Sequence, residues 1–365
     1  MGLLEFWNSG IYKSRNASDW NTKKYHSVLC SEVPDFLEDY ISLPVLQRLS
    51  KVSLLCGTDF TPLFKNHFSY SRLDHSIGTA LIVWNFTHDK KQTLAALFHD
   101  VSTPAFSHVS DFKNGDALKQ ESTESFNKKM IESDMALLLL LKRDGIRADE
   151  VNDYHKYPVA DNDRPGLSAD RLEYMYPSGA SMDKVWTLAE IEKNYSSIRV
   201  LENEKGLPEL GFIDLEQAVL YTEKFCEISL FLQRNEDKCA MQLMAEILTC
   251  AVEEKIADEE SFYLLGEAEL VSLFSEYSKK NPHSKLSRLF NTYIKMNHVI
   301  HSEVPLENCF CVNLDVKARY VDPLVKTSDE KAVRVSKVDA RAEKCISDFL
   351  SFRDTKYGCV PYAGV

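Results

Sequence analysis

The sequence predicts a mostly α-helical protein that ends in a small α+β region, and three observations carry that expectation. Apolar residues cluster or recur at three-and-four spacing over Ala80–Phe86, Thr93–Phe98, Glu124–Leu141, Leu215–Leu232 and Lys238–Glu254, the pattern of amphipathic or buried helices. Pro, Gly and Asn punctuate the chain, so Gly57–Pro62, Ser102–Pro104, Tyr157–Gly166, Pro177–Gly179 and Lys205–Gly211 read as loops. Past Val304–Pro305 the character changes. Cys309–Tyr320 is rich in β-branched and aromatic residues with partial alternation, and Val333–Val338 is a second short candidate strand beyond the polar turn Thr327–Lys331. Asp339–Phe352 returns to helical periodicity. A helical body over 1–304 is therefore expected, with its core at about 30–180 and further helices over 213–300, followed by an α+β region over 305–365. Asp214 before Leu215, with Gln217 three places on, reads as an N-cap with a capping-box partner.

Composition narrows the class. The chain has 365 residues, a formal net charge of -12, 44% hydrophobic residues and 27% charged ones. That is too apolar for disorder, and the acidic balance argues against a nucleic-acid or anionic-membrane binder, which carries a basic excess. A small anionic ligand needs only a few local cations. The 9 cysteines are scattered without a CxxC pair, as expected of reduced, mostly buried thiols in a cytoplasmic protein. The apolar start Met1–Trp7 is too short for a signal peptide and contains Glu5. Phe6 stands where a myristoylation signal on Gly2 wants Ser or Thr. The longest apolar run, Met135–Leu141, is far below the roughly 20 residues that span a bilayer.

The chemistry concentrates in Tyr70–Phe112, which holds Arg72-Leu-Asp-His75, the adjacent pair His99-Asp100, and Thr103-Pro-Ala-Phe-Ser-His108. His99 and Asp100 end an apolar helix where Pro104 stops its continuation. A carboxylate beside an imidazole at the end of a buried helix is costly unless paired or metal-bound. Imidazoles with carboxylates suit a divalent ion of the Mn, Fe, Ni, Zn, Co or Mg kind. His75, His99 and Asp100 supply three ligands, and Asp170 in Leu167-Ser-Ala-Asp-Arg-Leu-Glu-Tyr174 is the candidate fourth. Its rivals Asp161 and Asp163 lie in a Pro/Gly-rich loop, where solvated turn roles are the default. Among the other histidines, His26, His67, His88 and His283 sit in polar or turn-like surroundings and are expected to be exposed. His298 and His301 read as one helical turn apart near a helix end.

His75…His99-Asp100…Asp170 resembles the H…HD…D signature of the HD-domain metal-dependent phosphohydrolases, and most closely their deoxynucleoside-triphosphate triphosphohydrolase (dGTPase-like) branch. Pro44-Val-Leu-Gln47-Arg48-Leu49 is similar to that branch's FQRL segment, and Tyr70–Gly78 to RFEHSLG. His99–His108 is similar to HDxGHxPFSH, and Asp170–Tyr174 to DxxDY; Leu215–Phe274 and Lys317–Pro323 resemble later parts of the family. The similarity spans about residues 30–350. It implies an HD-type helical bundle with one divalent metal on His75, His99, Asp100 and Asp170, and a nucleotide-like phosphate cleaved by metal-activated water. Asp100 and His108 would be catalytic. Gln47, Arg72, His108, Arg171 and Tyr174 would contact substrate, with salt bridges to the ligand aspartates as the alternative role for the arginines. The resemblance also implies homo-oligomers.

The chain departs from the family at two histidines thought to serve as acid–base groups. Thr103 stands at one position, and Gln120, in Gln120-Glu121-Ser122, stands at the other. Neither side chain titrates near neutrality, so either metal–hydroxide attack suffices for a good leaving group or His108 or His155 takes the acid role. Pro177-Ser178 replaces the family's Arg-Asp after the DY segment. A metal- and nucleotide- or partner-binding protein with weakened catalysis is the alternative reading.

Overall fold

The computed structural model describes residues 20–120, 125–182 and 184–363. The Met1–Trp7 start, Glu121 and Ser122 lie outside the described residues. The helices are α1 (Thr22–Leu29), α2 (Phe36–Ile41), α3 (Pro44–Gln47), α4 (Arg72–Thr87), α5 (Lys90–Phe98), α6 (Val109–Lys113), α7 (Ser125–Ser133) and α8 (Met135–Arg143). After these come α9 (Ala169–Ser181), α10 (Leu188–Ser196), α11 (Leu215–Phe231), α12 (Asn235–Glu253), α13 (Ser261–Leu264), α14 (Glu267–Lys280), α15 (Lys285–Lys295) and α16 (Ala340–Ser351). The strands are β1 (Ile198–Glu202), β2 (Pro208–Phe212), β3 (Ile300–Ser302), β4 (Cys309–Val312), β5 (Leu324–Lys326), β6 (Ala332–Arg334) and β7 (Tyr357–Pro361). The predominantly helical architecture with a small mixed β region is the one expected. No described helix is long and apolar enough to cross a membrane.

Two apolar cores organise the molecule. One gathers α1, α4, α5, α9 and α11; the other gathers α6, α12, α14 and α15. Helix α4 starts at a capping box, in which Ser71 Oγ accepts from Asp74 N (3.1 Å) and Ser71 N donates to Asp74 Oδ2 (2.9 Å). From there it is buried continuously to Val83, which explains why its apolar residues cluster rather than stripe.

Several local expectations are corrected. From Ser125 on, the stretch expected as one helix is two, broken where the Asp134 carboxylate caps α8 by accepting from Leu137 N at 2.8 Å; Glu124 lies outside the described residues. Pro177–Gly179 is not a loop but lies inside α9. Pro177 has no N–H for the Glu173 carbonyl, and the Tyr25 hydroxyl donates to that carbonyl instead, at 3.3 Å. Lys205–Gly211 runs into β2, the second strand of a hairpin with β1. The long candidate strand from Cys309 ends at Val312, and the second, Val333–Val338, becomes the three-residue β6 and a 3-10 turn over Val335–Lys337. Asp214 does cap α11, accepting from Gln217 N at 3.2 Å, but the Gln217 side chain turns to Asn194 Nδ2 rather than closing a box. His26 is buried, 3.0 Å from the Tyr70 hydroxyl, not exposed. His301 sits on β3, not on a helix with His298.

The region after 304 is built into the body. Strand β5 pairs in parallel with β2 (Gly211↔Leu324, Phe212↔Val325) and antiparallel with β6, giving the sheet order β1-β2-β5-β6. Strand β7 lies between β3 and β4 in a second sheet. Arg334 on β6 is paired with the buried Glu209 of β2, at 2.5 Å between Nη1 and Oε1, and with Glu204.

Candidate metal centre

Four elements converge on one point. The capping box sets the first turn of α4 so that His75, one turn in, faces the core. The end of α5 delivers His99, and the turn beyond it delivers Asp100, closed by Thr103 N donating to Asp100 O at 2.9 Å. Helix α9 begins at Ser168, whose hydroxyl accepts from Arg171 N and leaves Asp170 in the first turn. The Nε2 atoms of His75 and His99 lie 3.1 Å apart. Asp170 Oδ1 is 3.1 Å from the first and 3.6 Å from the second. Asp100 Oδ2 stands 3.9 and 3.6 Å from the same two nitrogens. Ligand atoms of His75, His99 and Asp170 all lie within 4.8 Å of one another.

The donor set fits a divalent cation. His75 Nδ1 is held by Glu173 Oε2 at 2.5 Å and His99 Nδ1 by the Ala96 carbonyl at 2.7 Å. Donation from Nδ1 fixes the tautomer, so both Nε2 lone pairs point at the shared centre, as in metal-binding histidines generally. Two facing lone pairs and two carboxylates demand positive charge between them. Burial opposes protonation of His75, yet Glu173 and Asp170 outweigh it and push its pKa up to about 10. Burial likewise opposes ionisation of Asp100, and Arg72 with the two imidazoles holds that carboxyl well below the usual carboxylate range. Protons and a divalent ion therefore compete for the same donors.

Glu173 was invisible as a site residue in the sequence. Its signal is position: three residues after Asp170, it lies on the same face of α9. Its carboxylate also accepts from the Tyr70 hydroxyl at 2.6 Å. Gly78 makes room for it, since a Cβ there would run into the Glu173 carboxylate.

The centre opens into a cavity of about 860 Å³ lined by His75, His99, Asp100 and Asp170 together with Arg72, His108, Arg171 and Tyr174. Gln47 is not among the lining residues; its amide donates to the Ile41 carbonyl at 2.8 Å. Arg72 Nη1 grips Asp100 Oδ2 at 2.7 Å and its Nε donates to Ser107 Oγ, so it holds the Asp100 carboxylate in place. Arg171 is bound by the 161–166 loop, through Asp161 at 3.0 Å, Asn162 and the Gly166 carbonyl. Asp161 is thus a buried arginine partner rather than a solvated turn residue, while Asp163 is exposed and pairs with Lys205. His108 Nδ1 is 3.0 Å from Asp111 Oδ2. Burial, with Arg72 and Arg319 nearby, lowers its pKa despite Asp111. His155 faces the cavity edge beside Asp153 and Asp161. Thr103 Oγ1 donates to Asp100 Oδ1 at 3.1 Å, and Gln120 accepts from Arg319.

Glu236, His301 and Asp354 form a second group of potential ligands. There both ring nitrogens of His301 are taken, each 2.9 Å from a carboxylate oxygen. The group ties β3 to the start of α12.

No family model matches the chain. Over 192 residues it is 26% identical to a protein of Cordyceps militaris named metal-dependent phosphohydrolase cns2, covering 50% of this chain and 54% of that one. Over 139 residues it is 28% identical to the uncharacterized protein YdhJ of Bacillus subtilis, covering 38% and 41%. The chain thus spans about half or less of the curated relatives it matches. A solved phosphohydrolase from Bacteroides thetaiotaomicron superposes with a TM-score of 0.60 at 13% identity, over 90% of this chain and 96% of that one. A hypothetical protein from Aquifex aeolicus does so with a TM-score of 0.60 at 16% identity, over 90% and 92%. These matches share the fold, and the sequence relationship to a metal-dependent phosphohydrolase is distant.

Proposed function

We propose that the protein is an HD-type metal-dependent phosphohydrolase that cleaves a phosphate ester or anhydride of a nucleotide-like substrate. The observation that carries this reading is the convergence of two tautomer-fixed imidazoles with Asp170 and Asp100 at the wall of a cavity large enough for a nucleotide. His75, His99, Asp100 and Asp170 would hold one divalent ion, which when bound lowers the pKa of its water and offsets charge on a phosphoryl oxygen. The chain's own groups supply the rest. Arg72 fixes the Asp100 carboxylate, and Tyr174 walls the cavity beside the centre. His108, held through Nδ1 by Asp111 and with its pKa lowered by burial, would accept a proton and return it. The relative named as a metal-dependent phosphohydrolase supports the same class of reaction. It would act in the cytoplasm on a small phosphorylated ligand rather than on a nucleic acid.

The test is turnover of a generic phosphodiester, a phosphomonoester and a nucleotide panel by purified protein supplied with Mn, Ni, Co or Mg ions. His99→Ala and Asp170→Ala should abolish turnover while circular dichroism shows the helices intact. Wild type as inert as these variants across the panel would leave a metal-binding protein without this activity. Thr103 and Gln120, both tied up in hydrogen bonds with Asp100 and Arg319, are the features that favour that second reading.

A further inference from the structure

The metal centre occupies one side of the cavity, and part of the remaining wall is aromatic and aliphatic. Tyr174 stands 6.4 Å from the His75 ring and 6.4 Å from Phe225, so the aromatic wall continues from the centre onto α11. Ile228 and Phe231 extend it along that helix, and Phe231 meets Phe64 at 5.5 Å. Asp237, in the first turn of α12, lines the same cavity and is half-buried there. Among the described residues, no hydrogen bond or ion pair ties the Asp237 carboxylate to the protein. Arg319, which also lines the cavity, directs its guanidinium to Gln120. Burial pushes the Asp237 carboxyl up to about 7 even though Arg319 and Lys238 act to lower it.

A carboxylate drawn partly out of water without a hydrogen-bond partner costs more than one left in water. A ligand donor in the cavity would remove that cost. Apolar walls with a polar group in the same cavity suit a planar ring that presents N–H groups at its rim. Resting on the phosphohydrolase reading, in which the phosphate lies at the metal centre, the organic half of the substrate falls in this space. We propose that Asp237 is a specificity residue that accepts hydrogen bonds from the amino-bearing edge of a heteroaromatic base, so that substrates are phosphates of amino-substituted nucleosides. The ionised carboxylate accepts from an exocyclic amino group, and from a neighbouring ring N–H where one exists. Facing an oxo group instead, it meets an oxygen with no hydrogen to offer. A permanent organic cation is disfavoured, because Arg319 already places positive charge beside Asp237.

Binding of free nucleosides to the full chain at pH 8.5, measured by titration calorimetry, tests this without any turnover. Guanosine should bind about tenfold or more tightly than inosine, and cytidine than uridine, the ratio expected for one hydrogen bond to a charged group. Asp237→Ala should bring each pair within about twofold, with thermal melting verifying the fold. Asp237→Asn keeps the size of the side chain and offers an N–H to the 4-oxo oxygen of uridine, so it should shift the pyrimidine preference toward uridine, while inosine, which has only a C–H in place of the amino group, should gain nothing. The inference fails if wild type binds both members of a pair equally or binds none of the four. It fails equally if the folded variants keep the wild-type preference. Hydrolysis of simple esters with Mn ions reports separately on the phosphohydrolase reading, so either idea can fall alone.

Discussion

Replacing Glu173 by Gln leaves an acceptor against His75 Nδ1 but removes the charge that steadies the ring. Partners of this kind contribute about 10–100-fold to metal affinity, so Glu173→Gln should weaken Mn binding by that much in calorimetry without loss of helicity. Gly78→Ala should act in the same direction, because the added methyl displaces the same carboxylate. His26 gives a pH signature. Burial lowers its pKa to about 3 in the folded protein, against about 6.5 when unfolded. Above pH 6.5 both states are neutral. As pH falls below 6.5, the unfolded chain takes up a proton that the folded one refuses, and stability is lost down to about pH 3. Between pH 6.5 and 5 the loss is roughly 2 kcal/mol, and the urea midpoint of His26→Gln should fall less over that range. The meeting of His75, His99, Asp100 and Asp170 was legible because the His-Asp pair and the Asp of Asp-Arg-Leu-Glu-Tyr are sequence patterns. Glu173 and the burial of His26 were not, because each depends on which face meets a helix distant in the chain.

At the scale of elements, periodicity located the long helices, and their ends were set by side-chain caps such as Asp134 and Asp214. Sequence reading failed where a tertiary partner overrode local punctuation. Pro177 continues a helix because Tyr25 supplies the hydrogen bond that the proline cannot. Tyr25→Phe therefore leaves a buried carbonyl unpaired and should cost about 1–3 kcal/mol in urea unfolding. The Lys205–Gly211 stretch, turn-like by composition, becomes a strand because β5 pairs with it. The Arg334–Glu209 pair spans this sheet. Arg334→Leu would strand a buried carboxylate and should destabilise by about 3–5 kcal/mol.

For the whole molecule, a metal that binds the native state alone adds stability by mass action. Mn ions at a hundred times their dissociation constant should contribute about 2.7 kcal/mol, seen as a rise in melting temperature that His99→Ala removes. A fragment ending at residue 304 should fail to fold by circular dichroism and gel filtration, since Val321, Val325 and Val335 belong to the first core and β5 completes the sheet of β2. Arg72, Arg171 and Arg319 are gathered at one cavity of this acidic chain, with Arg72 and Arg171 paired to Asp100 and Asp161, so an anion there would draw mainly on Arg319 and on a bound metal.

The parallel pairing of β5 with β2 also bears on how the chain is made. During synthesis the β1–β2 hairpin leaves the ribosome long before Leu324 and Val325 do, so one rim of β2 stays unsatisfied while most of the remaining helices are being translated. An open strand rim is a template for pairing with other chains. The nascent protein is therefore most prone to self-association late in translation, and a stall before residue 326 would be more harmful than one after it.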